Sequence, residues 1–242
     1  EHTAKVWFNA VENKILYETE YRLRRKDGRY RNVIARGVPV INADGSVREW
    51  IGTCTDITER KADLQKREVT NSLLELFIHK SSQKDYLDST VEIISKWSGC
   101  EFVGVRIRDK EGNIPYKSHR GFDSDFLAIE NALHCRKDNC ICIRAILNKG
   151  LESEQSMISQ MGSFFCNDSI ALFNSLDENT AKEYRGTCIK KGFRSISVIP
   201  IRYRDEILGV IHIADYKKDK VDIDKVHFIE STMAPLIGEA VH

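Results

Sequence analysis

The chain has 242 residues, enough for one large domain or two modest domains that each have a core. Hydrophobic residues make up 41% of the sequence and charged residues 30%, which excludes a disordered or fibrous protein. The formal net charge of +1 provides no field that would concentrate nucleic acid at the surface, so we expect no nucleic-acid partner.

The sequence also predicts a compartment. It contains no apolar run of about 18 residues that would span a bilayer, and its first ten residues lack the basic region and apolar core of a secretion signal. Seven cysteines, an odd number in a chain of this length, do not match the dense, even framework of small secreted domains. We therefore expect reduced thiols, a cytoplasmic location and no membrane segment.

Three antiparallel strands are predicted within residues 15–55. Charged and uncharged residues alternate along the first strand, which is typical of a sheet with one solvated face. Asp27-Gly28 and the run Asn42 to Gly45 supply the two turns, because glycine accepts the positive φ that a hairpin requires.

The segment Tyr17 to Lys61 carries a charged first strand, an Asp-Gly turn and the closing run Asp-Ile-Thr-Glu-Arg. In these features it resembles the C-terminal motif of PAS sensor domains, although Asn32 stands where an aromatic residue is common. The resemblance implies that residues 1–63 are the C-terminal half of a PAS/PAC domain and that the chain starts within that domain. Three strands with one apolar face need cover from another copy, from the rest of the chain or from preceding chain.

One helix is predicted from Asp56 to Ser82, with Thr58 as its cap. Residues 64–84 are assigned as a connecting signalling helix that continues into the first helix of the next domain. Apolar residues recur every seven positions, at Ala62, Val69 and Leu76. This pattern leaves two alternatives open: the helix packs on its own domain, or it pairs with the same helix of a second copy.

The rest of the chain alternates between helices and hairpins. We predict a helix after Gln83 that stops at Gly99, strands Phe102 to Asp109 and Ile114 to Gly121, helices Asp125 to Leu133 and Asn179 to Lys191, strands Arg194 to Tyr203 and Asp205 to Asp215, and a terminal helix from Asp222 that Pro235 should kink. The last two strands are almost continuously apolar, which predicts a sheet covered on both faces.

This succession, together with the segments GSFFCNDS, RGTCIKKGFRSISVIPI and MAPLIGEAV, resembles GAF domains attached to bacterial and archaeal sensor histidine kinases. The resemblance implies an α+β chain: an antiparallel-sheet PAS fragment, a connecting helix and, over residues 85–242, a GAF domain with a central antiparallel sheet flanked by helices. It also implies a homodimer formed through helices and a downstream kinase or other output domain.

Most candidate ligand residues lie between the predicted strand Ile114 to Gly121 and the predicted strand Arg194 to Tyr203. They are His134, Cys135, Cys140, Cys142, Cys166 and Cys188. Cys140 and Cys142 are separated by one residue, whereas a zinc knuckle usually places two residues between its thiolates. A metal or haem site formed by Cys140 and Cys142 together with Cys188, or with Cys135 in its place, stays open, since thiolates bind zinc, iron–sulfur clusters and haem iron. These cysteines are alternatively ordinary core residues.

Histidines and thiol chemistry give two further interpretations. His212 and His119 lie on predicted strands where each can point into a GAF cavity, and His134 is a third pocket candidate; imidazole would ligate haem iron. Cys135, Cys142 and Cys188 occur in an order similar to three cysteines of the GAF enzyme free methionine-R-sulfoxide reductase. That resemblance implies a reactive thiolate and a disulfide partner, although the spacing from Cys135 to Cys142 differs.

The sequence shows no phosphate-binding glycine loop, nucleophile elbow or His-Glu-x-x-His motif, so no catalytic module is expected within these residues. We therefore predict a PAS–GAF sensory input module of a two-component system, with a histidine kinase as the parent protein. Its GAF domain would sense a small molecule, a metal or haem, or redox state. The alternative is a thiol-dependent enzyme resembling free methionine-R-sulfoxide reductase.

Overall fold

The computed structural model describes residues 2–79, 82–182 and 184–242. The chain divides into two compact units, residues 1–68 and residues 69–242. No helix in the described ranges combines the length and the apolar character needed to cross a membrane.

The first unit consists of a helix and a three-stranded antiparallel sheet in the order β1-β2-β3. Its elements are α1 (His2–Asn13), β1 (Tyr17–Arg24), β2 (Tyr30–Ile41) and β3 (Val47–Asp56). The three predicted strands and both turns are confirmed, with Gly28 and Gly45 at φ values of +81° and +80°. Helix α1 was not predicted, because its first turn has no acidic residue and its last turn no basic one.

The first unit has a small core. Trp7 of α1 packs against Tyr17 and Trp50 of the sheet, with ring centroids 5.1 and 4.9 Å apart. Other large apolar side chains are exposed, among them Phe8, Ile15, Leu16, Leu23, Val38, Ile41 and Ile51. An uncovered apolar surface of this kind agrees with the expectation that the sheet needs further cover.

Helix α2 (Thr58–His79) follows the first sheet. Thr58 is not its cap: the Thr58 hydroxyl accepts a hydrogen bond from the amide of Asn32 at 2.8 Å, and Asp56 Oδ1 accepts from the amide of Thr58 at 2.9 Å. The helix is thereby tied to β2 at its start. Of the predicted extension to Ser82, residues 80 and 81 lie outside the described residues.

The later part of α2 belongs to the second unit. Leu73 is fully buried there, and Val69 and Leu76 pack against the same apolar cluster. Packing on its own domain therefore holds for this part of the helix. Phe77 and Ile78 are exposed instead, at 50% and 71% of their surface.

The second unit is built on a five-stranded antiparallel sheet in the order β5-β4-β8-β7-β6. Its elements are α3 (Gln83–Ser98), β4 (Phe102–Ile107), β5 (Tyr116–Arg120), α4 (Ser124–Glu130), α5 (Ile141–Leu147), a 3₁₀ helix (Glu152–Met157), β6 (Phe164–Cys166), α6 (Ser169–Asn174), α7 (Glu178–Lys182), α8 (Thr187–Lys190), β7 (Ser195–Tyr203), β8 (Glu206–Asp215), α9 (Ile223–Phe228), a π-helical turn (Ile229–Met233) and α10 (Ala234–Val241).

Apolar residues cover both faces of this sheet. Ile199 and Ile211 join a cluster with α3, α9 and α10, whereas Val198 and Val210 join a second cluster with α4 and α5. Successive residues of a strand point to opposite faces, so β7 and β8 are buried on both sides, as their sequence predicts. His212 has the same parity as Val210 and faces the α4 and α5 side.

The structure corrects the predicted helix Asn179 to Lys191. The chain forms two short helices, α7 and α8, and Gly186 between them has φ +72°. A residue in the left-handed region interrupts a right-handed helix, and glycine adopts that region at little cost.

The predicted distortion of the terminal helix is confirmed. Pro235 lies in the first turn of α10, directly after the π-helical turn. Proline has no N–H to donate to the preceding turn, and the wider π turn accommodates this loss.

Candidate functional site

A small cavity lies on the side of the second sheet that α4 and α5 cover. Its volume is about 40 Å³. One water occupies roughly 10–15 Å³ of such space, so the cavity holds a few waters or a ligand of similar size. The polar part of its wall includes Glu130, Cys140, Cys142, Arg144, Cys188 and His212, and the apolar part includes Phe164, Leu172, Ile196 and Val198.

Three of the predicted cysteines meet in this wall. Cys140 precedes α5 in an extended conformation, with φ −140° and ψ 151°, and Cys142 lies in the first turn of that helix. Cys188 comes from α8. Cys142 is buried, Cys140 and Cys188 are partly buried, and all seven cysteines are free thiols.

The three thiols differ in acidity. The hydrogen bond from Cys142 lowers the pKa of the Cys140 thiol below its usual value. The same bond, reinforced by burial, raises the pKa of Cys142 well above the usual value, and burial raises the pKa of Cys188 as well. Because the thiolate is the reactive form of cysteine, Cys140 is the thiol of this group that is best prepared for reaction.

His212 lies at the middle of β8, opposite Gly104 of β4. Its Nδ1 is 2.7 Å from the hydroxyl of Tyr116, and its Nε2 is 3.9 Å from the Cys188 sulfur. Burial, with a smaller effect from Arg106, lowers the pKa of His212 to about 3, so the ring is neutral at physiological pH. The backbone at Gly104 permits this contact, since a Cβ there would lie 2.5 Å from the Tyr116 ring.

A buried ion pair between Arg106 and Glu130 lies at the cavity, and Glu130 is part of the cavity wall. Arg106 and Glu130 are 0% and 1% exposed, and Arg106 Nη1 donates to the Glu130 carboxylate at 3.0 Å. Arg106 also donates to the carbonyl oxygens of Ile114 and Glu130. The other Glu130 oxygen, Oε1, is buried and has no hydrogen-bond partner, although Arg185 Nε lies 3.4 Å away.

The sequence analysis missed this pair. One available signal was the position of Arg106 within the apolar strand Phe102–Ile107, since an arginine in such a strand needs a buried partner. Glu130 gave no comparable signal because it lies at the end of a short helix that contains other polar residues.

A second buried pair joins α5 to the 3₁₀ helix. Arg144 Nε donates to Glu154 Oε2 at 3.0 Å, and Arg144 Nη1 donates to Asn139 at 2.7 Å. The Arg144 guanidinium also lies over the Tyr184 ring, 5.0 Å from its centroid. These contacts fix the helix that positions Cys140 and Cys142.

The remaining predicted site residues lie outside the cavity wall. Cys135 packs against the apolar cluster that β7 and β8 form with α4 and α5, and Cys166 is buried on β6. His119 is exposed on β5 and does not point into the cavity. His134 Nε2 is 3.0 Å from the carbonyl of Glu111, and its Nδ1 accepts from the amide of Arg136, so its contacts hold a turn.

The metal and haem predictions stay predictions. Within the part of the chain that the structure describes, no three His, Cys, Asp or Glu side chains are grouped so that they would hold a metal ion.

A five-stranded antiparallel sheet, with terminal helices on one face and a cavity under short helices on the other, defines the second unit as a GAF fold. Comparisons with known proteins agree. The family described as PAS fold matches residues 1–54, and no curated protein matches the chain. The chain therefore joins a PAS-fold segment to a GAF-fold domain.

Solved structures resemble this chain at the level of the fold. A GAF domain from an Acinetobacter phosphoenolpyruvate-protein phosphotransferase has a TM-score of 0.53 and 9% identity, over 73% of this chain and 92% of that chain. The corresponding GAF domain from Coxiella burnetii has a TM-score of 0.51 and 11% identity, over 74% and 93%. The free methionine-R-sulfoxide reductase from Neisseria meningitidis, solved with its substrate, has a TM-score of 0.51 and 13% identity, over 72% and 87%.

Proposed function

We propose that this chain is the sensory input part of a signalling protein and that its GAF cavity detects thiol redox state. The observation that carries this proposal is that Cys140, Cys142 and Cys188 line one small cavity together with the neutral His212. Fold likeness alone would not support a function, because GAF and PAS folds serve many roles. A cytoplasmic location fits this proposal, since a thiol sensor must start from reduced cysteines.

A route from the cavity to the terminal helices follows from the packing. Val198 and His212 face the cavity, whereas their neighbours Ile199 and Ile211 face α3 and α10. A rearrangement of β7 or β8 at the cavity therefore changes the surface on which α10 packs. We place the output after α10, in a histidine kinase or another downstream domain.

A homodimer through helices belongs to the same proposal. The exposed apolar side chains Leu74, Phe77 and Ile78 lie near the end of α2, where a second copy would cover them. Burial of such side chains is favourable by about 25 cal/mol for each Å² removed from water. Domain boundaries near residues 63 and 85 are part of this proposal.

Hydrogen exchange tests the sensory function. The reduced chain is treated with diamide, a thiol oxidant, and amide exchange is measured by mass spectrometry in α2 and α10. We expect oxidation to change exchange in these helices and dithiothreitol to reverse the change.

The matched control is Cys100→Ser, which removes a buried thiol outside the cavity. Unchanged exchange in oxidised wild type, or an equal response in the triple variant Cys140→Ser, Cys142→Ser and Cys188→Ser, would contradict the proposal.

A thiol-dependent reductase is the second candidate, favoured by the presence of several thiols in one cavity. Its test is NADPH-coupled turnover of free methionine-R-sulfoxide with thioredoxin as the reductant. Activity that is lost in Cys140→Ser or Cys142→Ser would replace the sensory proposal with an enzymatic one. Absence of turnover by the wild type would exclude this candidate.

A further inference from the structure

One side of the cavity is formed by a single short run of chain. Six consecutive residues, Tyr184 to Ile189, line it, whereas the other lining residues come from the sheet, from α4 and α6, and from α5 with the residue before it. We propose that this run is a lid over the cavity and that Arg185 holds it closed. The inference rests on the proposed redox function for its purpose, because the lid sets how fast an oxidant reaches Cys142 and Cys188.

The backbone of the lid bonds to nearby residues within the described part of the chain. The amide of Tyr184 donates to the carbonyl of Ala181 at 3.2 Å, and the carbonyl of Cys188 accepts from the amide of Phe193 at 3.1 Å. The other backbone hydrogen bonds that the structure describes for the lid also stay within residues 181–193. Movement of the lid therefore breaks no strand pairing, and a segment attached by its side chains opens locally at low cost.

Arg185 joins the lid to the chain around α4. Its Nη1 donates to Asp138 Oδ1 at 2.9 Å, and its Nη2 donates to the carbonyl of Ile129 at 3.2 Å. The Asp138 carboxylate is itself fixed, because its Oδ2 accepts from the amide of His134 at 2.9 Å. A half-buried, charge-assisted pair of this kind is stronger than a solvated pair and weaker than a fully buried one. Arg185 can therefore hold the lid closed without making closure permanent.

The closed lid also carries a cost. Glu130 Oε1 faces Arg185 Nε at 3.4 Å, but it is buried and has no hydrogen-bond partner among the described residues. The Arg185 Nε–H group donates instead to the hydroxyl of Thr187 at 3.2 Å. An acceptor buried without a donor costs free energy, and water that enters under an open lid can bond to it. This gain offsets part of the contacts that opening removes.

Gly186 gives the lid a point about which the backbone can turn. It precedes α8 with φ +72°, in the left-handed region that glycine enters at little cost. Outside the adjoining residues, the nearest atom to a Cβ at this position would be the carbonyl oxygen of Tyr184, at 3.8 Å. Gly186→Ala would therefore strain the closed backbone without a steric clash. This variant acts on the closed lid independently of Arg185.

Thiol labelling measures the opening of the lid. Cys142 is 2% exposed and lines the cavity, whereas Cys100 is 3% exposed and belongs to the apolar cluster on the other face of the sheet. The reduced chain is treated with N-ethylmaleimide, and peptide mass spectrometry gives a labelling rate for each cysteine. Rates are compared between variant and wild type at the same cysteine, which removes differences in the intrinsic reactivity of the thiols.

The two lid variants should act on one thiol and spare the other. Arg185→Gln should raise the labelling rate of Cys142 about tenfold, because it removes charge-assisted hydrogen bonds of the closed lid. Gly186→Ala should raise it about fivefold through backbone strain. Cys100 should keep its wild-type rate in both variants. An equal rise at Cys142 and Cys100 would report general destabilisation and overturn the lid, and so would an unchanged rate of Cys142 in both variants.

Arg108→Gln is the matched control. Arg108 is also a partly exposed arginine in an ion pair, but its partner is Glu206 and it is not part of the cavity wall. Its replacement should leave the labelling rates of Cys142 and Cys100 unchanged. A rise at Cys142 as large as that in Arg185→Gln would overturn the assignment of Arg185.

Wild type decides the question if the variants fail to fold. Opening of a lid exposes little surface and depends weakly on urea, whereas global unfolding exposes much surface and depends strongly on it. Up to about 1 M urea, the labelling rate of Cys142 should therefore stay nearly constant while that of Cys100 rises. A parallel rise of the two rates would overturn the lid.

The outcomes separate the lid from the proposed function. If the lid variants accelerate labelling of Cys142 while diamide leaves amide exchange in α10 unchanged, the lid stands and the redox function is overturned. If diamide changes exchange in α10 while neither lid variant changes the labelling of Cys142, the lid is overturned and the redox function stands.

Discussion

Arg106 holds Glu130 at two points, since it donates to the carboxylate at 3.0 Å and also to the carbonyl of the same residue. The two side chains come from different elements, β4 and α4, and neither is accessible to solvent. The pair thus fastens the short helix over the cavity to the central sheet.

Arg106→Met should destabilise the second unit by about 3–5 kcal/mol, because it leaves the Glu130 carboxylate buried without its partner. Urea unfolding monitored by circular dichroism measures the change. The control is Arg108→Met, which breaks a partly exposed pair with Glu206 and should cost less than about 1 kcal/mol. Equal effects of the two variants would contradict the importance of burial.

The buried His212 should make the free energy of unfolding of the second unit depend on pH. Its pKa is about 3 in the folded chain, below the usual 6.5, so between these values the unfolded chain binds a proton that the folded chain does not. The contribution of His212 is therefore complete above about pH 6.5 and is lost as the pH falls toward 3. The slope in this window approaches 1.4 kcal/mol per pH unit, about 2 kcal/mol in total at pH 5.

Urea midpoints measured at neutral pH and near pH 5 test this dependence. Wild type should lose stability on acidification, and His212→Gln should lose about 2 kcal/mol less. His119→Gln, which changes an exposed histidine on the same sheet, should behave as wild type. An unaltered pH dependence in His212→Gln would show that this ring does not titrate as described.

Gly238 determines how closely α10 approaches the sheet. A Cβ at this position would lie 2.1 Å from the carbonyl oxygen of Arg202 in β7. Gly238→Ala should therefore push the helix outward and destabilise the second unit by about 1–3 kcal/mol. Faster amide exchange in α10 would report the loosened helix, and Glu239→Ala, at the exposed neighbouring position, should leave exchange unchanged.

Trp7 should contribute to the stability of the first unit. Its ring packs on Tyr17 and Trp50, so Trp7→Ala should destabilise the sheet of the first unit by about 1–3 kcal/mol. The measurement is amide exchange in β1, β2 and β3. Phe8 is 68% exposed, so Phe8→Ala serves as the control and should have little effect. Equal exchange in the two variants would mean that α1 contributes nothing to this sheet.

The sequence alone determined the three strands of the first sheet, four of the five strands of the second sheet and the class of the fold, whereas β6 (Phe164–Cys166) was not predicted. Alternating charge marked the first sheet, and the apolar runs of β7 and β8 marked strands that are covered on two faces. These features are local, because side-chain period and turn residues act within a few positions along the chain.

Other features depended on contacts between distant positions. Cys140, Cys142 and Cys188 line one cavity wall, whereas Cys135 and His119 do not. Arg106 pairs with Glu130 of a different element. These relationships arise between elements that meet only in the folded chain. No local pattern specifies which face of a strand is opposed by a given helix, because that choice is made by packing across the whole unit. The cysteines were visible in the sequence, but the cavity they share was decided by the tertiary structure.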